Sequence, residues 1–244
     1  MDDELDFYAQ NGYLVIPDAL SGDQVDQING AIDHNLEQYA PLWIEREQGH
    51  TTLNVHALMA HPELDITMRP PRLLPLMEAI LGPELCAEEH SVRIRRPYSG
   101  EPYCNWHRDG GGWTADPPYY TRYLSVAFYL SDVDSTTHTF SVLPGSAQSA
   151  DLPGLEHYDL ERAHHIEGGK GAAVLFNAGM FHAGNVRRTD VERRTIHIYC
   201  GRRSDPALSN YTIFPRRLWQ DKDSATQSYY SRPNLISQLL LDRF

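Results

Sequence analysis

The chain has 244 residues, 41% of them hydrophobic and 22% charged, and a formal net charge of -12. That length and balance suit one globular domain with its own core, and the acidity argues against a general nucleic-acid binder, because phosphate contacts need positive surface. No run reaches the roughly 18 apolar residues of a membrane span, and the acidic opening Met1-Asp2-Asp3-Glu4 is unlike a secretion signal.

Residues 6–12 read as a short helix and 13–17 as an opening strand. Ser21 and Gln24 have capping-box spacing, and Val25, Ile28, Ile32 and Leu36 follow at helical intervals, which predicts an amphipathic helix of about four turns. Leu73, Leu74, Met77, Ile80 and Leu81 predict another, stopped by Gly82-Pro83. Beyond residue 85 short strand-like runs take over: 91–95, 123–130, 140–143, 172–176 and 194–200. Turns rich in Gly, Pro, Asp and Ser separate them, and a last helix is predicted at 234–241. Helices followed by many short strands predict a mainly β fold with flanking helices. Its core is a double-stranded β-helix, the jelly roll of the cupins. One domain is expected over 1–244, with N-terminal helices (1–85) buttressing a core (86–201) and a C-terminal extension (202–244).

Cys86, Cys104 and Cys200 are odd in number and form no CxxC pair. Free thiols in a reducing cytoplasm are expected, rather than a disulfide frame or a cysteine-rich zinc site.

His107 and Asp109 are two residues apart, so on a strand both side chains leave one face. The glycines at 110–112 end that strand and let backbone approach a ligand. A second histidine would come from a distant strand across the barrel. His157, His164, His165, His182 and His197 are the candidates. His164 and His165 sit in a polar segment and read as solvent-facing. His182 follows a buried strand and a tight turn and is preferred. Two imidazoles and one carboxylate on one face of an ion leave the other face open, the facial triad of non-haem Fe(II) oxygenases. A zinc hydrolase on the same three ligands stays open at this point. Arg193, 11 residues past His182, can anchor the far carboxylate of an oxo-acid by a bidentate contact. Arg194 is the alternative, since the plain reading of an Arg-Arg pair is a solvated strand edge.

These residues resemble the phytanoyl-CoA dioxygenase family of Fe(II)/2-oxoglutarate-dependent oxygenases, over about residues 5–200. The opening Phe7-Tyr8-Ala9-Gln10-Asn11-Gly12-Tyr13 with its capped helix, Arg96-Pro97 ahead of Trp106-His107-Arg108-Asp109, and Leu143-Pro144-Gly145-Ser146 carry the resemblance. Ala147 stands where the family often has His, and Thr137-His138-Thr139 where it often has Asn-Gly. The resemblance implies Fe(II) on His107, Asp109 and His182, with 2-oxoglutarate paired to Arg193. O2 would be consumed, and 2-oxoglutarate decarboxylated to succinate, as a C–H bond of a small molecule is hydroxylated. A substrate from secondary metabolism, or one that is carboxylate- or CoA-linked, is implied. Asp109 favours hydroxylation over halogenation, because the related halogenases lack the carboxylate.

Asn105 shares parity with His107 and is a candidate for the iron pocket. Tyr129, on the inner face of its strand, could hydrogen-bond the co-substrate carboxylate, or simply pack. Trp113 could cover the substrate. The arginines at 93, 95, 96, 187, 188, 202, 203, 216 and 217 read as a solvated face, or as a positive mouth for an anionic substrate. The rival readings are desaturation, cyclisation or epimerisation at the same site, or a cupin-like protein that holds metal without turnover.

Overall fold

Alternation along the strands sorts side chains onto two faces, and each face finds a different cover. The structure, a computed structural model, describes residues 1–46, 50–109, 121–148, 152–209 and 211–231. Helix α1 (Asp2–Asn11) leads into β1 (Tyr13–Ile16). Helix α2 (Gly22–Gln38) starts at Ser21, where both hydrogen bonds of the capping box are made, removing two orphan donors from its first turn. Next come β2 (Ile44–Arg46), β3 (Thr51–Asn54), α3 (Ala57–Ala60) and α4 (Leu74–Leu81). Gly82 ends α4 at φ 79°, a conformation that a Cβ disfavours.

The remaining elements are β4 (Leu85–Arg95), β5 (Tyr103–Cys104), β6 (Leu124–Tyr129), β7 (Thr139–Val142), β8 (His164–Ile166), β9 (Ala173–Asn177), β10 (His182–Val186), β11 (Arg193–Arg202) and α5 (Ser224–Tyr229). They form two antiparallel sheets. One has the order β1-β9-β6-β11-β4-β3-β2 and the other β5-β10-β7-β8, the expected jelly roll.

On β6, Leu124, Val126 and Phe128 join the large cluster that the helices cover, while Ala127 and Tyr129 face the other sheet. Leu175 and Val174 on β9 divide the same way. On β11, Ile196, Ile198 and Cys200 belong to the helix-side cluster. Arg193, Thr195, His197 and Tyr199 instead line a cavity between the sheets. Burying an apolar side chain such as Ile196 stabilises the fold by roughly 2 kcal/mol, and this term fixes which side of each strand faces inward. The polar row is what remains, and it faces the site.

The segment 1–85 differs from the expected helical buttress. Besides the expected opening strand β1, which pairs with β9, it supplies β3 and β2, which extend the large sheet beyond β4. These two strands of four and three residues are too short to show a period in sequence. What holds them is ladder bonding of β3 to β4 and of β2 to β3. Helix α5 was not expected, and the helix expected at 234–241 lies outside the described residues. Cys86, Cys104 and Cys200 are all free thiols. Among the described residues no helix is long and apolar enough to cross a membrane.

Candidate metal centre and its cationic cavity

Backbone pairing brings the two histidines together. Just beyond β5, His107 forms an isolated antiparallel bridge with His182, the first residue of β10. Each N–H donates to the other's carbonyl over 3.0 Å. Directly opposed residues send their side chains to the same side, and the two imidazole centres lie 4.4 Å apart. The sequence-based expectation that His182 would reach across the barrel is corrected here: it is the immediate neighbour of His107. Nor does His107 lie within a continuous strand, since β5 ends at Cys104.

Asp109 is placed by its N–H, which donates to the Ala178 carbonyl over 2.8 Å. Its Oδ1 stands 3.5 Å from His107 Nε2 and its Oδ2 3.2 Å from His182 Nε2. Among the described residues these three form the single group of His, Cys, Asp or Glu side chains whose ligand atoms all lie within 4.8 Å of one another. Two donors bound about 2.1 Å from one ion at a right angle are about 3 Å apart, so the spacing fits a single ion. The tautomers fit as well. His107 Nδ1 lies 2.8 Å from the Asn105 carbonyl and His182 Nδ1 3.0 Å from the Met180 carbonyl. A carbonyl only accepts, so each Nδ1 carries a proton; each Nε2 is turned toward Asp109 and either donates to the carboxylate when protonated or offers its lone pair to an ion when the ring is neutral.

The electrostatics favour an ionised carboxylate. Burial alone would raise the Asp109 pKa. Attraction to the His182 ring, and hydrogen bonds from His107, His182 and Tyr199, override burial and hold it below the ordinary carboxylate range. The Asp109 hydrogen bond likewise raises the His107 pKa against the effect of burial. Tyr199, buried on β11, donates its hydroxyl to Asp109 Oδ2 over 2.6 Å, and burial pushes its own pKa up. Arg93, reaching from β4, brings its charge close to Tyr199. His197 is held neutral, first by burial and then by repulsion from Arg93 and Arg193.

Arg108, between the two expected ligands, ties their loops together. Its Nη1 donates to the carbonyls of Ser146 (2.7 Å) and Gly179 (2.6 Å), and its Nη2 to that of Pro153 (2.8 Å). The guanidinium also lies 3.9 Å over the Phe181 ring. Ser146 Oγ accepts from the Phe181 N–H at 2.8 Å. The Pro144-Gly145-Ser146 turn therefore anchors both the loop of Asp109 and the approach to His182.

The cavity beside the cluster, of ≈ 190 Å³, is lined on the large sheet by Arg193, Thr195, His197 and Tyr199 and by Arg93 and Arg95. Arg193, the preferred candidate, faces it. Arg194 points the other way and is paired with Asp33 and Glu192, both at 2.7 Å. Asn105 is at the cavity rim, with its carbonyl on His107. Tyr129 takes the expected inner face, but its hydroxyl donates to the Ile166 carbonyl over 2.9 Å and its ring packs in the inter-sheet cluster. It is absent from the residues that line the cavity. Trp113 lies outside the described residues. His164 and His165 are exposed, as expected.

Sequence reasoning gave Tyr199, Arg93 and Arg95 no individual role. Tyr199 shares its face with Arg193 by simple alternation, so it could have been found. Arg46, Thr51 and Leu53, which come from β2 and β3 to complete the wall, carried no signal at all.

The family model of phytanoyl-CoA dioxygenase (PhyH) matches residues 8–195, a span that holds all three clustered side chains and Arg193. The chain belongs to the phytanoyl-CoA dioxygenase family. It is thereby placed among oxygenases that depend on Fe(II), 2-oxoglutarate and O2. Solved structures share the fold at low identity. The 2-oxoglutarate-dependent epimerase SnoN of nogalamycin biosynthesis has a TM-score of 0.70 at 16% identity, covering 83% of each chain. HygX from Streptomyces hygroscopicus, with nickel, 2-oxoglutarate and hygromycin B bound, has a TM-score of 0.66 at 18% identity, over 85% of this chain and 89% of its own. EctD from S. alaskensis has 0.70 at 19%, over 88% of this chain and 80% of its own. No curated protein sequence matches the chain.

Proposed function

We propose that His107, Asp109 and His182 hold the ferrous ion, that Arg193 anchors the distal carboxylate of 2-oxoglutarate, and that the enzyme hydroxylates an unactivated C–H bond of a small molecule. The observation that carries this reading is the convergence of two Nε2 lone pairs and one carboxylate beside a cavity with an arginine on its wall. Iron bound there would supply O2 activation and C–H oxidation, with 2-oxoglutarate as the co-reductant. The chain's own residues do the rest. Asn105 and Met180 orient the imidazoles through their carbonyls, Tyr199 orients the carboxylate, and the paired sheets enclose the reacting space. Three free thiols support a reducing, cytoplasmic setting.

Anaerobic addition of Fe(II) and then 2-oxoglutarate to the protein tests the assignment. A visible charge-transfer band should appear, and admitting O2 should convert 2-oxoglutarate to succinate. His182→Ala should show neither. A band that persists in His182→Ala would move the metal elsewhere. Epimerisation and cyclisation are a second reading, favoured by the fold shared with the epimerase SnoN and the carbocyclase SnoK. The product's composition separates them: hydroxylation adds one oxygen atom and the others add none.

A further inference from the structure

His197 lines the same cavity as the metal centre, yet it is not one of the three clustered side chains. It is 4% exposed, and its Nδ1 is sealed from solvent with no hydrogen-bond partner among the described residues. Its Nε2 is not sealed in this way, so it is the ring nitrogen on the cavity side. The neighbours in the sheet do not serve the ring. Ala127 on β6 has no polar side chain, and Ser91 on β4 accepts from Arg93 Nε at 3.4 Å. A buried polar group without a partner is costly, and a partner that arrives with a ligand is one way to remove the cost.

The place of the ring in its row says which ligand atom that is. Arg193, Thr195, His197 and Tyr199 follow one another along the inner face of β11, at about 7 Å per pair of residues. Tyr199 holds Asp109 at one end, and Arg193 takes the distal carboxylate at the other. His197 adjoins Tyr199, and Phe140 links it to the metal side: that ring lies 6.3 Å from His197 and 5.7 Å from His182. A co-substrate that runs from the metal to Arg193 therefore presents its keto-acid end to His197.

We propose that His197 is a co-substrate contact, its Nε2–H donating to the keto-acid carboxylate of 2-oxoglutarate and fixing how that end lies on the metal. A neutral imidazole has one N–H to give. An anion opposite Nε2 draws the proton there and leaves the sealed Nδ1 as a bare lone pair. The inference rests on the reading above of the metal centre and of Arg193.

The test is anaerobic titration of 2-oxoglutarate into Fe(II)-loaded protein, followed by the charge-transfer band. His197→Phe keeps an aromatic ring and removes the donor. It should weaken 2-oxoglutarate about tenfold or more and shift the band, with Co(II) affinity in the absence of 2-oxoglutarate unchanged. His197→Gln, which keeps an N–H donor, should recover most of the affinity. Wild-type affinity and band position in His197→Phe overturn the proposal, and so does equal loss in both variants, which marks a packing role. A measurement on wild type covers variants that fail to fold. In Zn(II)-loaded protein with 15N-labelled histidine, 2-oxoglutarate should bring out one new hydrogen-bonded Nε2–H signal, distinct from the Nδ1–H signals of His107 and His182. No new signal overturns the proposal as well. Failure of Fe(II) and 2-oxoglutarate to bind wild type would instead refute the underlying reading of the metal centre.

Discussion

The Tyr199 hydroxyl donates to Asp109 Oδ2 over 2.6 Å, joining the middle of β11 to the loop that follows β5. It holds in place one oxygen of the carboxylate that both histidines face. Such supporting hydrogen bonds typically change metal affinity 10- to 100-fold. Tyr199→Phe keeps the ring and its packing, so folding should be retained. Co(II) affinity is expected to fall at least about tenfold, and the visible spectrum of bound Co(II) should shift, which a purely structural role would not cause. An unchanged spectrum and affinity would deny Tyr199 this positioning role.

Arg193 and Arg194 are adjacent but face opposite sides of the sheet. Arg193→Gln should raise the KM for 2-oxoglutarate by about 100-fold, the loss of a charge-assisted bidentate contact. Arg194→Gln removes a partly exposed pair with Asp33 and Glu192 and should cost no more than about 1 kcal/mol of stability, leaving KM unchanged. Steady-state succinate formation and urea unfolding check the two arms. Equal KM values for both variants would refute the assignment.

Arg108 holds three backbone carbonyls from three separate turns. Arg108→Ala strands those acceptors and should destabilise the protein by about 3 kcal/mol. It should also weaken Co(II) binding, because the loops of Asp109 and His182 are no longer tied. Urea denaturation and metal titration on the same sample measure both. Stability lost with full metal affinity would separate the staple from the site.

His138 is buried between two backbone groups. It accepts from the Arg187 N–H at Nδ1 (3.1 Å), and its Nε2 lies 2.9 Å from the Arg96 carbonyl. Protonating Nδ1 would destroy the acceptor. Burial first, and then the charges of Arg95 and Arg193, push the pKa down to about 4. The unfolded chain takes up this proton near the ordinary value of 6.5, so between those values it binds more protons than the native state. Stability is therefore full above about pH 6.5 and lost as pH falls toward 4. His138 should contribute on the order of 1 kcal/mol of that loss by pH 5, and His138→Gln should flatten the slope. Urea midpoints at pH 7 and pH 5 for both proteins measure it, and parallel slopes would exclude His138 as the cause.

The wall of the cavity shows where sequence reading stops. Alternation in 193–200 and 91–95 was enough to place Arg193, Tyr199, Arg93 and Arg95 on shared faces. The sequence could not say which face looks into the cavity, because on β11 the apolar face is turned away from the site, toward the helices. Arg46, Thr51 and Leu53 come from strands too short to carry a period, and only their pairing with β4 brings them to the wall.

Local chemistry alone settled the capped helices, the glycine stops, the strand-rich second half and the two-residue spacing that marks His107 and Asp109 as candidate ligands. Those signals depend on neighbours a few residues away, and such distances are written in the chain. The tertiary structure decided that His107 and His182 oppose each other across one bridge, that Tyr199 supports Asp109, and that Arg193 rather than Arg194 faces inward. Each of these depends on strand register between distant segments. Register follows from which apolar rows the helices and the second sheet bury together, a choice made by the whole fold at once.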